Sequence, residues 1–167
     1  VYSPFPLSAS QWQRLRESNV VTDLCATSTF PVQLKSVHFG ASDITPPYTL
    51  FTTFDPQAFF QMADLEWVQG DSETALQRLT KGRAVLVSRE YLVAHGIGLG
   101  SRLTVAGGAA EPIDFDVVGV ISSPGLDVAV SYFGIHRYYA DASVSTIFGT
   151  RTDAARFFHN EAINLVL

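Results

Sequence analysis

A single cysteine in 167 residues, Cys25, leaves the chain no partner for an internal disulfide. That scarcity fits either side of a bacterial membrane, because many extracytoplasmic proteins carry no disulfide. Cys25 stands in the apolar, β-branched run "VVTDLCATSTF" with no base patterned beside it, so it reads as a buried thiol rather than a nucleophile. Cationic charge is scarce too. Eleven Lys and Arg stand against sixteen Asp and Glu, a formal charge of −5. A nucleic-acid binder needs a cationic face to displace counterions from phosphates, and this balance argues against one. The basic residues Arg14, Arg16, Lys35, Lys81, Arg83, Arg89, Arg102 and Arg137 are scattered rather than clustered.

Long apolar runs are missing as well. No stretch of about 18 or more apolar residues occurs, so nothing in the sequence has the length of a membrane-spanning helix. No secretory leader is visible. The chain starts on Val1 and ends on the apolar "AINLVL". Both ends look cut, and the expectation is a piece excised from a larger protein.

Chemistry-bearing patterns are equally sparse. The histidines are His38, His95, His136 and His159, and none stands at a paired ligand spacing. No GxSxG elbow occurs. Asp114 and Asp116 alternate in "IDFDVV", so both should point away from Ile113, Phe115 and Val117. A solvated strand face is the plainer reading, and a carboxylate pair for acid–base work the sharper one. No catalytic, metal or cofactor site is expected.

What is present is apolar mass. Hydrophobic residues make up 47% of the chain, enough for one packed body or two small lobes. "LSASQWQRLRESN" opens with Ser8 as N-cap and Gln11 three residues on, a capping box, with Leu7 and Trp12 placed for a hydrophobic staple. Residues 20–39 are β-like, with a break expected at Pro31. "GASDITPPY" reads as a loop and "YTLFTTF" as a strand. Asp55 and Pro56 make a strong helix start for "DPQAFFQMADLEWVQG", with Phe59, Phe60, Met62 and Ala63 as a broad apolar surface, and a short helix ends at Gly82. A strand over 84–88, a helix over 89–95 and strands near 102–106 and 113–121 follow. "SVSTIFGT" reads as a strand, and a capped helix should begin near Thr152 or Asp153. The class is α+β, with more strand than helix.

Gly96, Gly98 and Gly100 fall within five positions. A phosphate-cradling loop follows a strand and opens a helix. Here the helix comes first, so an anion would meet the wrong end of its dipole. The structural reading is a left-handed helix stop at Gly96, with Ile97 and Leu99 packing back on the core and a tight turn into the next strand.

That unit carries a resemblance. "GRAVLVSREYLVAHGIGLGSRLTV", a short hairpin and then "FDVVGVISSPGLD" resemble the extracytoplasmic domain of FtsX-like ABC transporter permeases of the MacB type. The matched pieces are residues 85–88, 90–95, 99–101, 103–105 and 115–120, with Ser101 where Asp is more usual. "NVVTDL" after the first helix, and "TTFDPQAFF" followed by "EWVQG", are similar to the family as well. The likeness covers most of residues 8–121 and thins beyond Asp127. It implies a MacB-like periplasmic core domain over residues 1–167, with an αβ porter-like lobe and a smaller strand-rich lobe, one of them discontinuous. It implies a place between the first and second transmembrane helices, outside the cytoplasmic membrane. It also implies a permease dimer, a cytoplasmic ATPase reached through the membrane part, and an extracytoplasmic substrate or partner. The domain itself would hydrolyse nothing.

Tyr132, Phe133, Arg137, Tyr138 and Tyr139 cluster in a stretch of weak periodicity. They read either as a buried strand-rich segment or as an aromatic contact surface for a partner or the sister protomer. Two other classes stay open. One is a small-β-barrel binding module, since strand–helix–"GLGS"–strand also resembles the repeat of double-psi and swapped-hairpin barrels. The other is a hydrolase with a site assembled from distant residues. Within the permease reading, a pocket for an apolar ligand also fits the composition.

Overall fold

The structure is a computed structural model, and it describes residues 7–17, 25–35, 48–107, 111–122, 146–163 and 165–166. Helix α1 is Ala9–Arg16, β1 is Ala26–Leu34, β2 is Tyr48–Phe54 and α2 is Pro56–Met62. Strand β3 is Glu66–Gln69, α3 is Ser72–Lys81, β4 is Ala84–Ser88 and α4 is Arg89–His95. Strands β5 (Arg102–Ala106), β6 (Ile113–Ser122) and β7 (Thr146–Thr150) follow, then helix α5 (Arg151–Phe158) and β8 (Leu165–Val166). No helix among the described residues is long and apolar enough to cross a membrane.

The sheet closes on itself. Its order runs β2-β7-β4-β6-β5-β1, and β1 pairs again with β2. The β1–β2 register is antiparallel from Ser28↔Thr53 to Gln33↔Tyr48, and β1 meets β5 at Gln33↔Ala106 and Leu34↔Val105. The result is a six-stranded ring, with β3 added on β6 and β8 on β1.

Alternation along each strand divides the apolar residues into two layers. Val32, Phe51, Val85, Val87, Leu103, Val105, Phe115, Val117 and Ile147 fill the inside of the ring. Phe54, Ala84, Leu86, Val118 and Ile121 face outward, beneath Ala75 and Leu79 of α3, Ala58, Phe59 and Phe60 of α2, and Trp67 of β3. In β6, Val117 and Val120 face inward three positions apart because the β4–β6 register shifts between Val85↔Val117 and Leu86↔Gly119. That β-bulge restores the alternation. Gly149 is a close-approach site. A Cβ there would lie 2.2 Å from Cζ of Phe51, so the ring of Phe51 occupies the space a side chain would need.

The mixed α/β class agrees with the expectation. Three local expectations are corrected. Pro31 does not break β1; it pairs with Leu50 inside the strand. On its other side β1 pairs only near its two ends, so a residue without an N–H leaves no ladder bond unmade there. The last helix begins at Arg151, capped by Thr150, rather than near Thr152 or Asp153. Parallel pairing of β7 with β2 runs to Phe54↔Thr150 and carries the strand up to that threonine. Leu99 is 52% exposed rather than packed on the core, although Ile97 does pack there.

Candidate functional site

Both glycine readings can be tested on geometry. Ser88 accepts from the N–H of Tyr91 at 3.0 Å and starts α4, and Gly96 ends it in the left-handed region at φ 67° and ψ 16°. The turn leans on β3: the N–H of Leu99 donates to Oε1 of Gln69 at 2.9 Å. A Cβ on Gly98 would lie 2.5 Å from that same oxygen and 2.9 Å from Cδ1 of Leu92. The space beside Gly98 is filled by protein, and Gly96 and Gly100 sit at positive φ, so the glycines turn the chain.

Asp114 and Asp116 do point to the solvated side. Asp114 accepts from Oγ1 of Thr104 at 2.7 Å. Asp116 holds Arg78 at 2.8 Å and Arg102 at 3.3 Å, tying α3 to β6. Its charge is engaged by two guanidinium groups, and the pair forms no acid–base couple. Cys25 is fully buried, and burial pushes its thiol up from the ordinary range. A raised thiol is a poor nucleophile. His95 packs against Tyr91 with ring centroids 4.5 Å apart and the rings tilted by 57°, and His159 is an exposed helix stop. No group of three or more potential metal ligands forms among the described residues. His38, His136 and the cluster Tyr132, Phe133, Arg137, Tyr138 and Tyr139 lie outside the described residues.

The structure brings together a set of residues that the sequence leaves far apart. A groove of about 850 Å³ is lined by Leu7, Trp12, Asp55, Arg151, Thr152, Ala155, Arg156, Glu161 and Ile163. Its floor is apolar: Ile163 is buried, with Leu7, Trp12 and Leu15 packed against it. The N–H of Leu7 donates to the carbonyl of Ile163 at 2.8 Å and fixes α1 beside the chain that leads to β8. Helix α5 supplies the wall. It turns Ala154, Phe157 and Phe158 toward the ring interior and Arg151, Thr152, Ala155 and Arg156 toward the groove.

A smaller cavity of about 150 Å³ adjoins it and shares Asp55, Thr152 and Arg156. Asp153, only 2% exposed, borders it and accepts from the N–H of Arg83 at 2.9 Å. Burial pushes this carboxyl above the ordinary Asp range, while hydrogen bonds from Arg83 and Thr150 and the Arg156 and Arg83 charges oppose the shift. The split of "RTDAARFF" into an inward Phe face and an outward Arg face is visible as helical periodicity. That the outward face meets Trp12 is not, because the two are separated by most of the chain.

Known structures share this architecture. The extracellular domain of the ABC-type transporter YknZ from Gram-positive bacteria superposes with a TM-score of 0.61 and 12% identity, covering 98% of this chain and 73% of that one. The periplasmic region of MacB from Actinobacillus actinomycetemcomitans gives 0.57 and 12%, covering 97% of this chain and 63% of that one. The fold is that of a MacB-type periplasmic domain. The MacB-type likeness read in the glycine unit therefore extends over nearly the whole chain in space. It does so at an identity where side-chain roles do not carry over, and the chain spans about two thirds of the MacB region's length. No family model matches the sequence, and no curated protein is similar to it.

Proposed function

We propose that this chain is the extracytoplasmic domain of a bacterial ABC transporter permease. In this reading it stands outside the cytoplasmic membrane, and ATP-driven motion reaches a substrate or partner through it. The observation that carries the reading is the likeness, over 98% and 97% of the chain, to two domains that both belong to ABC transporters or to MacB. Those neighbours are transporter domains rather than enzymes. ATP hydrolysis would then belong to a separate cytoplasmic subunit or domain, and a second permease protomer would complete the assembly.

The test is the parent sequence on both sides. One apolar run of about 20 residues before Val1 and three after Leu167 are expected, each long enough to span a bilayer. Soluble flanks would overturn the reading. They would favour the small-barrel module instead, a reading to which the closed six-stranded ring lends support. Contact with a partner or the sister protomer through Tyr132, Phe133, Arg137, Tyr138 and Tyr139 belongs to the same proposal. Tyr138→Ala and Tyr139→Ala in the parent protein should reduce transport or partner capture, and unchanged values would sink that assignment.

A further inference from the structure

The groove beside α5 has a chemistry of its own. Its volume of about 850 Å³ is that of a small-molecule site, which typically runs from about 300 to 1,000 Å³. Leu7, Trp12 and Ile163 supply its apolar floor, and Ala155 with Arg151 and Arg156 its α5 wall. Neither guanidinium makes an ion pair among the described residues, where Asp116 takes both that occur. Arg156 lies over the ring of Phe157 at 5.1 Å, which holds its planar head in place.

Two acids share the rim. Asp55 is committed elsewhere: its Oδ1 accepts from the N–H groups of Gln57 at 3.0 Å and Ala58 at 3.2 Å, capping α2. The lining therefore carries two guanidinium groups and two carboxylates; what sets the arginines apart is that neither is ion-paired among the described residues, whereas the Asp55 carboxylate is turned to the α2 backbone. On the floor, the N–H of Leu7 is spent on Ile163 and that of Trp12 on the Ser8 carbonyl at 3.0 Å. An alkyl chain lies on such a floor without needing hydrogen-bond partners.

We propose that this groove binds a small amphipathic carboxylate, its alkyl chain on Leu7, Trp12, Ala155 and Ile163 and its head on Arg151 and Arg156. The forked donors of arginine suit a carboxylate, and the hydrogen bonds are charge-assisted. The inference goes beyond the permease reading and does not need it, since soluble flanks would leave the groove unchanged.

The experiment is titration calorimetry of the whole chain with submicellar decanoate, with decyltrimethylammonium as the cationic control. Saturable one-to-one decanoate binding is expected, with the cation weaker by about tenfold or more. Arg151→Ala and Arg156→Ala should each weaken decanoate about tenfold, the loss of one charged hydrogen bond, and Arg156→Lys should recover part of it. Tryptophan emission should shift on binding in the natural chain and not in Trp12→Phe. Should an arginine variant fail to fold, the decanoate–cation comparison and the emission shift in the natural chain still decide. Absence of saturable binding, equal affinity for the cation, or affinities unmoved in folded arginine variants would overturn the proposal. Tighter binding of acetyl-Phe-Leu free acid than of decanoate would overturn it in favour of a peptide terminus.

Discussion

Helices α4 and α5 are built to the same local plan and end in different roles. Each follows a strand of the ring, β4 or β7, and those strands run antiparallel side by side, so the helices leave from opposite ends. Each starts on a hydroxyl that accepts from the N–H three residues on, Ser88 from Tyr91 and Thr150 from Asp153, both at 3.0 Å. Each stops on a left-handed residue, Gly96 or His159. The divergence lies at the third helical position. Tyr91 is apolar enough to drop into the ring, where it is fully buried. Asp153 is buried as a carboxyl and latches Arg83, a non-glycine residue held at φ 54° where β4 begins. In α5 the filling falls to Phe158, 5.2 Å from Phe51 and 6.1 Å from Phe115. The capping rules thus fix where a helix starts and stops; which side chain turns inward decides whether it only fills the barrel or also offers a charged outer face.

The largest test of this contrast removes the two fillings. Tyr91→Ala should cost about 4 kcal/mol and Phe158→Ala about 3 kcal/mol, the smaller loss because Phe158 is only half-buried. Urea unfolding measures both, and a loss under about 1 kcal/mol for Tyr91→Ala would mean that α4 does not fill the ring. The caps come next. Ser88→Ala and Thr150→Ala should each cost about 1 kcal/mol, and a neutral result at either would break the parallel between the helices.

The helix stops should then respond with opposite signs. A Cβ on Gly96 meets nothing within 4 Å, so Gly96→Ala tests backbone strain alone and should cost about 1 kcal/mol. His159→Gly should instead gain about 0.5 kcal/mol, read as a rise in melting temperature. If both changes destabilise, the His159 side chain has a role beyond the stop.

The smallest effect is one of pH. Asp153 has its folded pKa raised, so the folded state holds the proton more tightly than the unfolded chain. The contribution of Asp153 is most favourable below its unfolded value, about 3.9, and falls as pH rises through its folded one. The stability of Asp153→Asn relative to the natural chain should therefore improve from about pH 4 toward 7. The opposite trend would mean that the Arg83 and Thr150 hydrogen bonds outweigh burial.

Much of this was legible locally. The Ser8–Gln11 capping box forms in both directions, with the Ser8 N–H on Oε1 of Gln11 at 2.8 Å and the Gln11 N–H on Oγ of Ser8 at 3.3 Å. Asp55 with Pro56, Ser88 and Gly96 act as expected. The cap of α5 was harder to place, because Thr150 and Thr152 both suit the role and pairing to β2 chooses between them. Strand β3 falls in the stretch "DPQAFFQMADLEWVQG" that reads as helical, but the helix ends at Met62. The strand has four residues, and it exists because Gly119 leaves room: a Cβ there would lie 2.5 Å from the ring of Trp67. No signal in "EWVQ" announces that space.

The sequence by itself determined the helix ends, most strands, the apolar faces and the absence of local catalytic patterns. These depend on neighbours within a few residues, through capping hydrogen bonds and alternation. Tertiary structure alone decided that β1 closes the ring and that Trp12 shares a groove with Arg151 and Arg156. Such contacts join residues far apart along the chain, and the free energy that selects them is the burial of a shared core, which no short window of sequence contains.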